Sequence, residues 1–221
     1  MMEGFDFEIA VATDFDGVLA DNEKARILFA KKEFGVTLIP PVKREIVVER
    51  DHKLTNKQYR TLQQETGGKW EWAKLMEPIP GALSIIAKLY RAKCVLFVVT
   101  SRTDEVMSGK TESRYPLLSI ANKWLKQKGI LHYFREVKGA GYQKSKELVI
   151  KHLYPRPVVY LDDDVDKLVP LEGIVEFLFL LSMLHNLEQE LPFFIQRVDS
   201  WEDFYERICE IGASRVMVAV L

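Results

Sequence analysis

Short continuous apolar runs alternate with longer segments of helical periodicity through most of this chain. Residues 9–12 read as a short strand. Residues 94–99 and 158–161 read as strands buried on both faces, because they are apolar without alternation and rich in β-branched side chains. Further strands are expected over 175–181 and 193–198, and a short strand or loop over 130–137. A helix begins near Glu23, where Asp21 and Asn22 can cap it, and ends near Gly35, with Ala25, Leu28, Phe29 and Lys32 at helical spacing. Residues 45–50 fit either state. Residues 55–76 read as helix interrupted at Gly67 and Gly68.

Past a turn at 77–82, Leu83, Ile86, Ala87 and Tyr90 share one face of a helix. Residues 103–115 are polar and read as a loop. The next helix, 117–128, carries Leu118, Ala121, Trp124 and Leu125 and stops at Gly129. Another starts near Ser145 and breaks at Pro155 and Pro157, and the last spans 201–211. Residues 216–221 fit an edge strand or a terminal tail. Strands alternating with helices predict an α/β fold, a doubly wound and mostly parallel sheet. Residues 20–78 are helical and aromatic-studded, far longer than the dozen or so residues that a parallel crossover needs. They are expected to form a small helical cap inserted after the first strand, with the core built from 1–19 and 79–221.

Composition narrows the function classes. The 221 residues carry a net charge of −1, so no basic surface for a nucleic-acid polymer is expected. The longest apolar run, 177–183, is much shorter than the ~20 residues that span a bilayer, so no membrane partner is expected and a cytoplasmic protein is the default. The N-terminus lacks the basic and apolar regions of a signal peptide. Cys94 and Cys209 suggest neither a disulfide framework nor a zinc site.

Three strand ends carry the chemistry. Residues 9–12 run into Asp14 and Asp16, two apart, where alternate side chains at the end of a strand share a face, and Gly17 lets the backbone turn away. Two acids at the end of a buried strand are costly without a cation or a proton, so a metal site is the natural reading. Residues 94–99 end at Thr100, Ser101 and Arg102; residues 158–161 end at Asp162 and Asp163. Ligands of open α/β sheets gather outside such strand ends. Lys144 and Lys146 open the helix before the last acid cluster.

The order acid pair, hydroxyl, lysine, acid cluster, spread over about residues 8–166, resembles the four motifs of the haloacid dehalogenase-like superfamily. The first is Asp-Phe-Asp-Gly-Val-Leu at 14–19. The resemblance implies a Rossmann-like core and a Mg²⁺-dependent phosphatase of a small-molecule phosphomonoester. In that reading Asp14 is the nucleophile that forms an aspartyl-phosphate, and Asp16 is the general acid and then the base. Thr100 and either Lys144 or Lys146 hold the phosphoryl oxygens, with Lys138 a distant third. Asp162 or Asp163 completes a Mg²⁺ site with the Asp14 carboxylate and the Asp16 backbone carbonyl; oxygen-only ligands suit that hard cation. Asp164 and Asp166 are expected to support the site or lie at the surface. Gly17, Ser101 and Arg102 are candidate substrate contacts.

Thr100-Ser101-Arg102, the Trp124-Leu125 helix and Lys144-Ser145-Lys146 look like a subgroup that contains 5′-nucleotidases. Trp124 and Leu125 themselves are expected in the core. In the cap, Arg44, Arg50, His52, Lys53, Tyr59, Trp70 and Trp72 are available to choose the leaving group. A phosphomutase or phosphotransferase of the same superfamily, and a phosphate-ligand binding protein without turnover, are the alternatives.

Overall fold

The structure is a computed structural model that describes residues 9–104, 115–141 and 144–219. Most of the polar segment expected as a loop at 103–115, and the last two residues, lie outside the described part. Among the described residues eight strands form: β1 (Ala10–Thr13), β2 (Ala20–Asp21), β3 (Glu77–Pro78), β4 (Val95–Thr100), β5 (Phe134–Gly139), β6 (Val159–Asp162), β7 (Phe177–Leu181) and β8 (Ile195–Val198). Six make one sheet in the order β5-β4-β1-β6-β7-β8, and every pairing in it is parallel. β2 and β3 pair antiparallel in a separate two-stranded ribbon. The expected doubly wound sheet is therefore present, with β1 at its centre.

The continuous apolar runs are buried on both faces for the reason the pattern gave. One face presents Val11, Val98, Leu161 and Phe179 to the helices α4 (Ala82–Arg91), α5 (Leu117–Gln127) and α8 (Trp201–Ala219). The other presents Ala12, Val99, Tyr160 and Leu180 to α6 (Lys146–Lys151) and α7 (Val165–Leu168). Each large side chain removed from water in this way contributes about 1.5–3 kcal/mol. From β1 the chain runs outward through β4 and β5, then returns to β6 on the other side. A crevice opens where strand order reverses in this way.

Two element readings are corrected. The buried face of α4 is Ala82, Ile85, Ile86 and Leu89, while Tyr90 is 47% exposed and packs edge-on against His132 and tilted against Tyr133. Residues 216–219 continue α8 and do not form an edge strand.

Between β2 and β3 lie α1 (Glu23–Phe34), one π-helical turn (Glu45–Arg50), α2 (Asn56–Gly68) and α3 (Trp70–Ala73). Gly35 ends α1 in the left-handed conformation at φ 68°. Thr55 and Gln58 start α2 with a reciprocal capping box. These helices bury a hydrophobic cluster of their own, including Phe29, Val47, Leu54, Tyr59, Leu62 and Trp72. Among the described residues no helix is long and apolar enough to cross a membrane.

Candidate active site

The sheet brings three strand ends together. Asp14 follows β1 directly, and its N–H donates to the Leu161 carbonyl at 2.9 Å, which extends the β1–β6 pairing by one residue. That register sets Asp14 beside Asp162, the last residue of β6. Thr100 ends β4 on the other side of β1 and is fully buried.

Asp14, Asp162 and Asp163 each offer a carboxylate oxygen, and the three oxygens lie within 4.8 Å of one another. Lys146, at the start of α6, donates to Asp162 Oδ2 at 2.7 Å and lies 3.2 Å from Asp14 Oδ1. Ser145 caps the same helix through its hydroxyl, which fixes where Lys146 begins. Burial pushes the Asp14 carboxyl up; Lys146 offsets part of that, and Asp162 and Asp16 add to it, leaving a value of about 7. Burial also raises Asp162 and Asp163. The ammonium of Lys146 is held charged, because Asp14 and Asp162 outweigh the effect of burial.

This arrangement fits a cation. Asp14 Oδ1 is buried and has no hydrogen-bond partner among the described residues, its contact with Lys146 being an ion pair without hydrogen-bond geometry. The donors are oxygens only, as a hard divalent ion prefers. Asp162 is the most committed of the three: Oδ2 takes Lys146, and Oδ1 accepts from the N–H groups of Asp163 and Asp164 at 2.9 and 3.2 Å. Asp163 Oδ2 accepts from Lys43 at 2.8 Å and lies 3.3 Å from His185 Nε2. The Asp163 backbone is fixed too, its carbonyl accepting from Asn186 at 2.9 Å.

Asp16 points elsewhere. Arg102 grips both of its carboxylate oxygens at 2.8 Å, and Asn22 donates to Oδ1 at 2.8 Å. Burial raises its carboxyl, but Arg102 overrides that and holds it at about 2. The Asp16 carboxylate thus serves a separate ion pair, while the expectation of a metal ligand at this position concerns its backbone carbonyl. Arg102, the candidate substrate contact, has protein partners in this structure. It is 6% exposed and committed to Asp16, to the Gly67 carbonyl at 3.0 Å and to the face of Phe15 at 4.7 Å.

Three further expectations are resolved by position. Lys144 is exposed while Lys146 is buried against the acids, so the two lysines do not share a role. Lys138 pairs with Glu136 at the surface. Ser101 is exposed beside the buried Thr100 and Arg102. Gly17 has a structural duty: its φ is +75°, and a Cβ there would lie 2.1 Å from Asp163 Oδ2. Only glycine lets the loop after Asp16 pass the Asp163 carboxylate. Asp164 caps α7 by accepting from the Asp166 N–H.

Sequence reasoning missed Lys43, Asn22 and His185. Asn22 was expected as a helix cap, but Asp21 takes the Glu23 N–H and frees Asn22 for Asp16. Nothing in the local sequence marks Lys43 or His185, because each meets Asp163 only through tertiary packing. Of the expected cap residues, Tyr59 and Trp72 are buried in the helices' own cluster, and Arg44, Arg50, His52 and Lys53 are exposed. Trp124 is fully buried, its Nε1 donating to the Met76 carbonyl at 3.1 Å.

No family model and no curated protein sequence matches the chain. Solved structures do match. A haloacid dehalogenase-like family hydrolase from Streptococcus pneumoniae superposes with a TM-score of 0.59 at 16% identity, over 91% of this chain and 98% of that one. CbbY from Rhodobacter sphaeroides, in complex with phosphate, gives 0.55 at 16%, over 88% and 95%. The HAD-hydrolase YfnB from Bacillus subtilis, bound to magnesium, gives 0.57 at 12%, over 90% and 97%. The chain has the haloacid dehalogenase-like fold, as the four motifs implied.

Proposed function

We propose that the protein is a Mg²⁺-dependent phosphatase that hydrolyses a small phosphomonoester through an aspartyl-phosphate. The observation that carries this reading is the convergence of Asp14, Asp162 and Asp163 around Lys146 at the ends of β1 and β6. The magnesium-bound and phosphate-bound relatives on the same fold support it.

Asp14, Asp163 and Asp162 are the residues that would hold Mg²⁺, with Asp14 and Asp163 the less committed donors. Bound there, the ion neutralises charge on the phosphoryl group. Asp14 attacks phosphorus, and the bond from phosphorus to the ester oxygen breaks. Lys146 and Thr100 steady the phosphoryl oxygens. Asp16 gives the departing oxygen a proton, and then takes one from the water that hydrolyses the acyl phosphate. Its grip by Arg102 leaves it ionised, which suits the second step; the first requires its release from Arg102.

Residues 20–78 serve as the cap in this reading, supported by their separate hydrophobic cluster and by Lys43 reaching from them to Asp163. The name of the Bacillus subtilis structure speaks of interdomain movement, which agrees with a cap that moves. The test is phosphate release from p-nitrophenyl phosphate with and without Mg²⁺, beside Asp14→Asn. Mg²⁺-dependent release that disappears in the variant is expected, followed by a screen that starts with nucleoside monophosphates. Release by the variant at the wild-type rate overturns the covalent route. Interconversion of a sugar phosphate without release turns the reading to a mutase.

A further inference from the structure

The pairing of β6 with β7 ends at Asp162 and Leu180, and β7 then follows β8, with Leu181 opposite Val198. Where the strands part, the Asp163 and Leu181 carbonyls are both acceptors and cannot satisfy each other. The segment after β7 supplies the donors. Asn186, 1% exposed, donates from Nδ2 to the Asp163 carbonyl and to the Leu181 carbonyl, each at 2.9 Å. Its Oδ1 accepts from the Met183 N–H at 2.9 Å and from Arg197 Nη1 at 3.3 Å. Both donors and both acceptor positions of the amide are thereby in use. His185 adds a second donor to Asp163: its Nε2 lies 2.9 Å from the same carbonyl and 3.3 Å from Oδ2. A carbonyl only accepts, so Nε2 is the nitrogen that carries the proton.

The Asp163 backbone is consequently held at both ends, its N–H by Asp162 Oδ1 at 2.9 Å and its carbonyl by these two side chains. A backbone fixed on both sides of Cα aims the Cα–Cβ bond. Asp163 needs that help more than the other two acids. Asp14 is tied to Leu161 by the sheet pairing and Asp162 is the last residue of β6, whereas Asp163 lies one residue beyond the pairing with β7. Lys43, which meets its carboxylate, comes from the separate helical segment and keeps 28% of its side chain exposed.

We propose that His185 and Asn186 are positioning residues of the metal centre: by gripping the Asp163 carbonyl they aim its carboxylate at Asp14 and Asp162. The segment between β7 and β8 thereby becomes part of the site, beyond the stretch that carries the four motifs. This rests on the metal-dependent phosphatase reading and adds to it the residues that orient one ligand.

The test is Mn²⁺ affinity by calorimetry, with a urea melt of each variant in chelator, and p-nitrophenyl phosphate hydrolysis by wild type as a separate readout. His185→Leu and Asn186→Asp, which lacks both donors, are expected to weaken Mn²⁺ binding by about tenfold or more, the range for side chains that orient a metal ligand. His185→Gln, which keeps an N–H donor, should bind like wild type. Ile195→Ala is the control: it thins the core on β8, two strands from β6, and should lower the urea midpoint without changing Mn²⁺ affinity. Wild-type affinity in His185→Leu, or in a folded Asn186→Asp, overturns that residue's part, and in both it overturns the proposal. His185 is partly exposed, so its variants decide the matter should Asn186→Asp fail to fold. A loss in Ile195→Ala equal to theirs makes the effect one of general stability and overturns the proposal. A loss in His185→Gln as large as in His185→Leu does the same, because the donor is then not what counts. Metal-dependent hydrolysis by wild type, with unchanged Mn²⁺ affinity in the variants, overturns the positioning roles and leaves the phosphatase standing. No Mn²⁺ binding by wild type overturns both.

Discussion

Asp14 and Asp16 are separated by one residue and live in opposite electrostatic surroundings. Asp14 sits on the floor of the crevice with two further carboxylates and one lysine, and burial lifts it to about 7. Asp16 lies on the wall, gripped at both oxygens by Arg102, and is held at about 2. The floor has more negative charge than its own side chains compensate. The wall is balanced within itself. An under-compensated acid cluster is suited to taking up a cation and an incoming phosphoryl group, whereas a satisfied ion pair is suited to being opened and closed.

Removing the floor's central group should have the largest effect. Asp14→Asn is expected to cut Mg²⁺-dependent phosphate release by about a thousandfold or more, as loss of a covalent nucleophile does; steady-state release from p-nitrophenyl phosphate checks it. A smaller effect is expected where floor and wall join. Gly17→Ala places a Cβ 2.1 Å from Asp163 Oδ2 at a φ of +75°, so the loop must shift. A destabilisation of about 1–3 kcal/mol should follow, read from urea melts, together with weaker Mn²⁺ binding by calorimetry.

On the wall, Arg102→Gln leaves Asp16 without its main partner. A buried pair broken on one side costs about 3–5 kcal/mol. Asp16 keeps 32% side-chain exposure and its bond from Asn22, so about 1–3 kcal/mol is expected after allowing for solvent screening. Arg102→Lys should recover only part of it, because an ammonium lacks the planar fork with which a guanidinium matches both oxygens of one carboxylate.

The comparison also predicts a pH signature in the metal-free protein. The folded-state carboxyl of Asp14 lies above its unfolded value, so the folded chain holds a proton that the unfolded chain has released. Stability is full below about pH 4 and falls as pH rises towards about 7. Asp162 and Asp163, also raised, act in the same direction. Asp16 has the opposite sign, and its contribution is lost only as pH falls from about 4 towards 2, outside that window. Melting temperatures in chelator should therefore decline from pH 4 to 7, more gently in Asp14→Asn. An unchanged slope in the variant would remove Asp14 as its source.

Much of the scaffold was legible because burial on both faces leaves a plain mark: β4 and β6 are unbroken apolar runs, and the polar groups that end them stand out. Helix faces were less legible. Tyr90 and Ile85 both fit a helical period, and the packing of α4 against the sheet and α8 is what buries Ile85 and exposes Tyr90. The C-terminal run 216–219 is apolar and β-branched in part, and continuation of α8 overrode that local preference.

The sequence alone determined which chemistry was available and where along the chain it fell: acids after β1 and β6, a hydroxyl after β4, and a lysine at the start of α6. Those assignments are local, since a strand's end and a helix's first turn are written in neighbouring residues. The tertiary structure decided how the charges were shared. Lys146 and not Lys144 faces the acids, Arg102 takes Asp16, and Lys43 crosses 120 positions of sequence to reach Asp163. Such pairings depend on distance and burial in space, where a few ångströms change a Coulomb interaction several-fold, and no spacing along the chain encodes them.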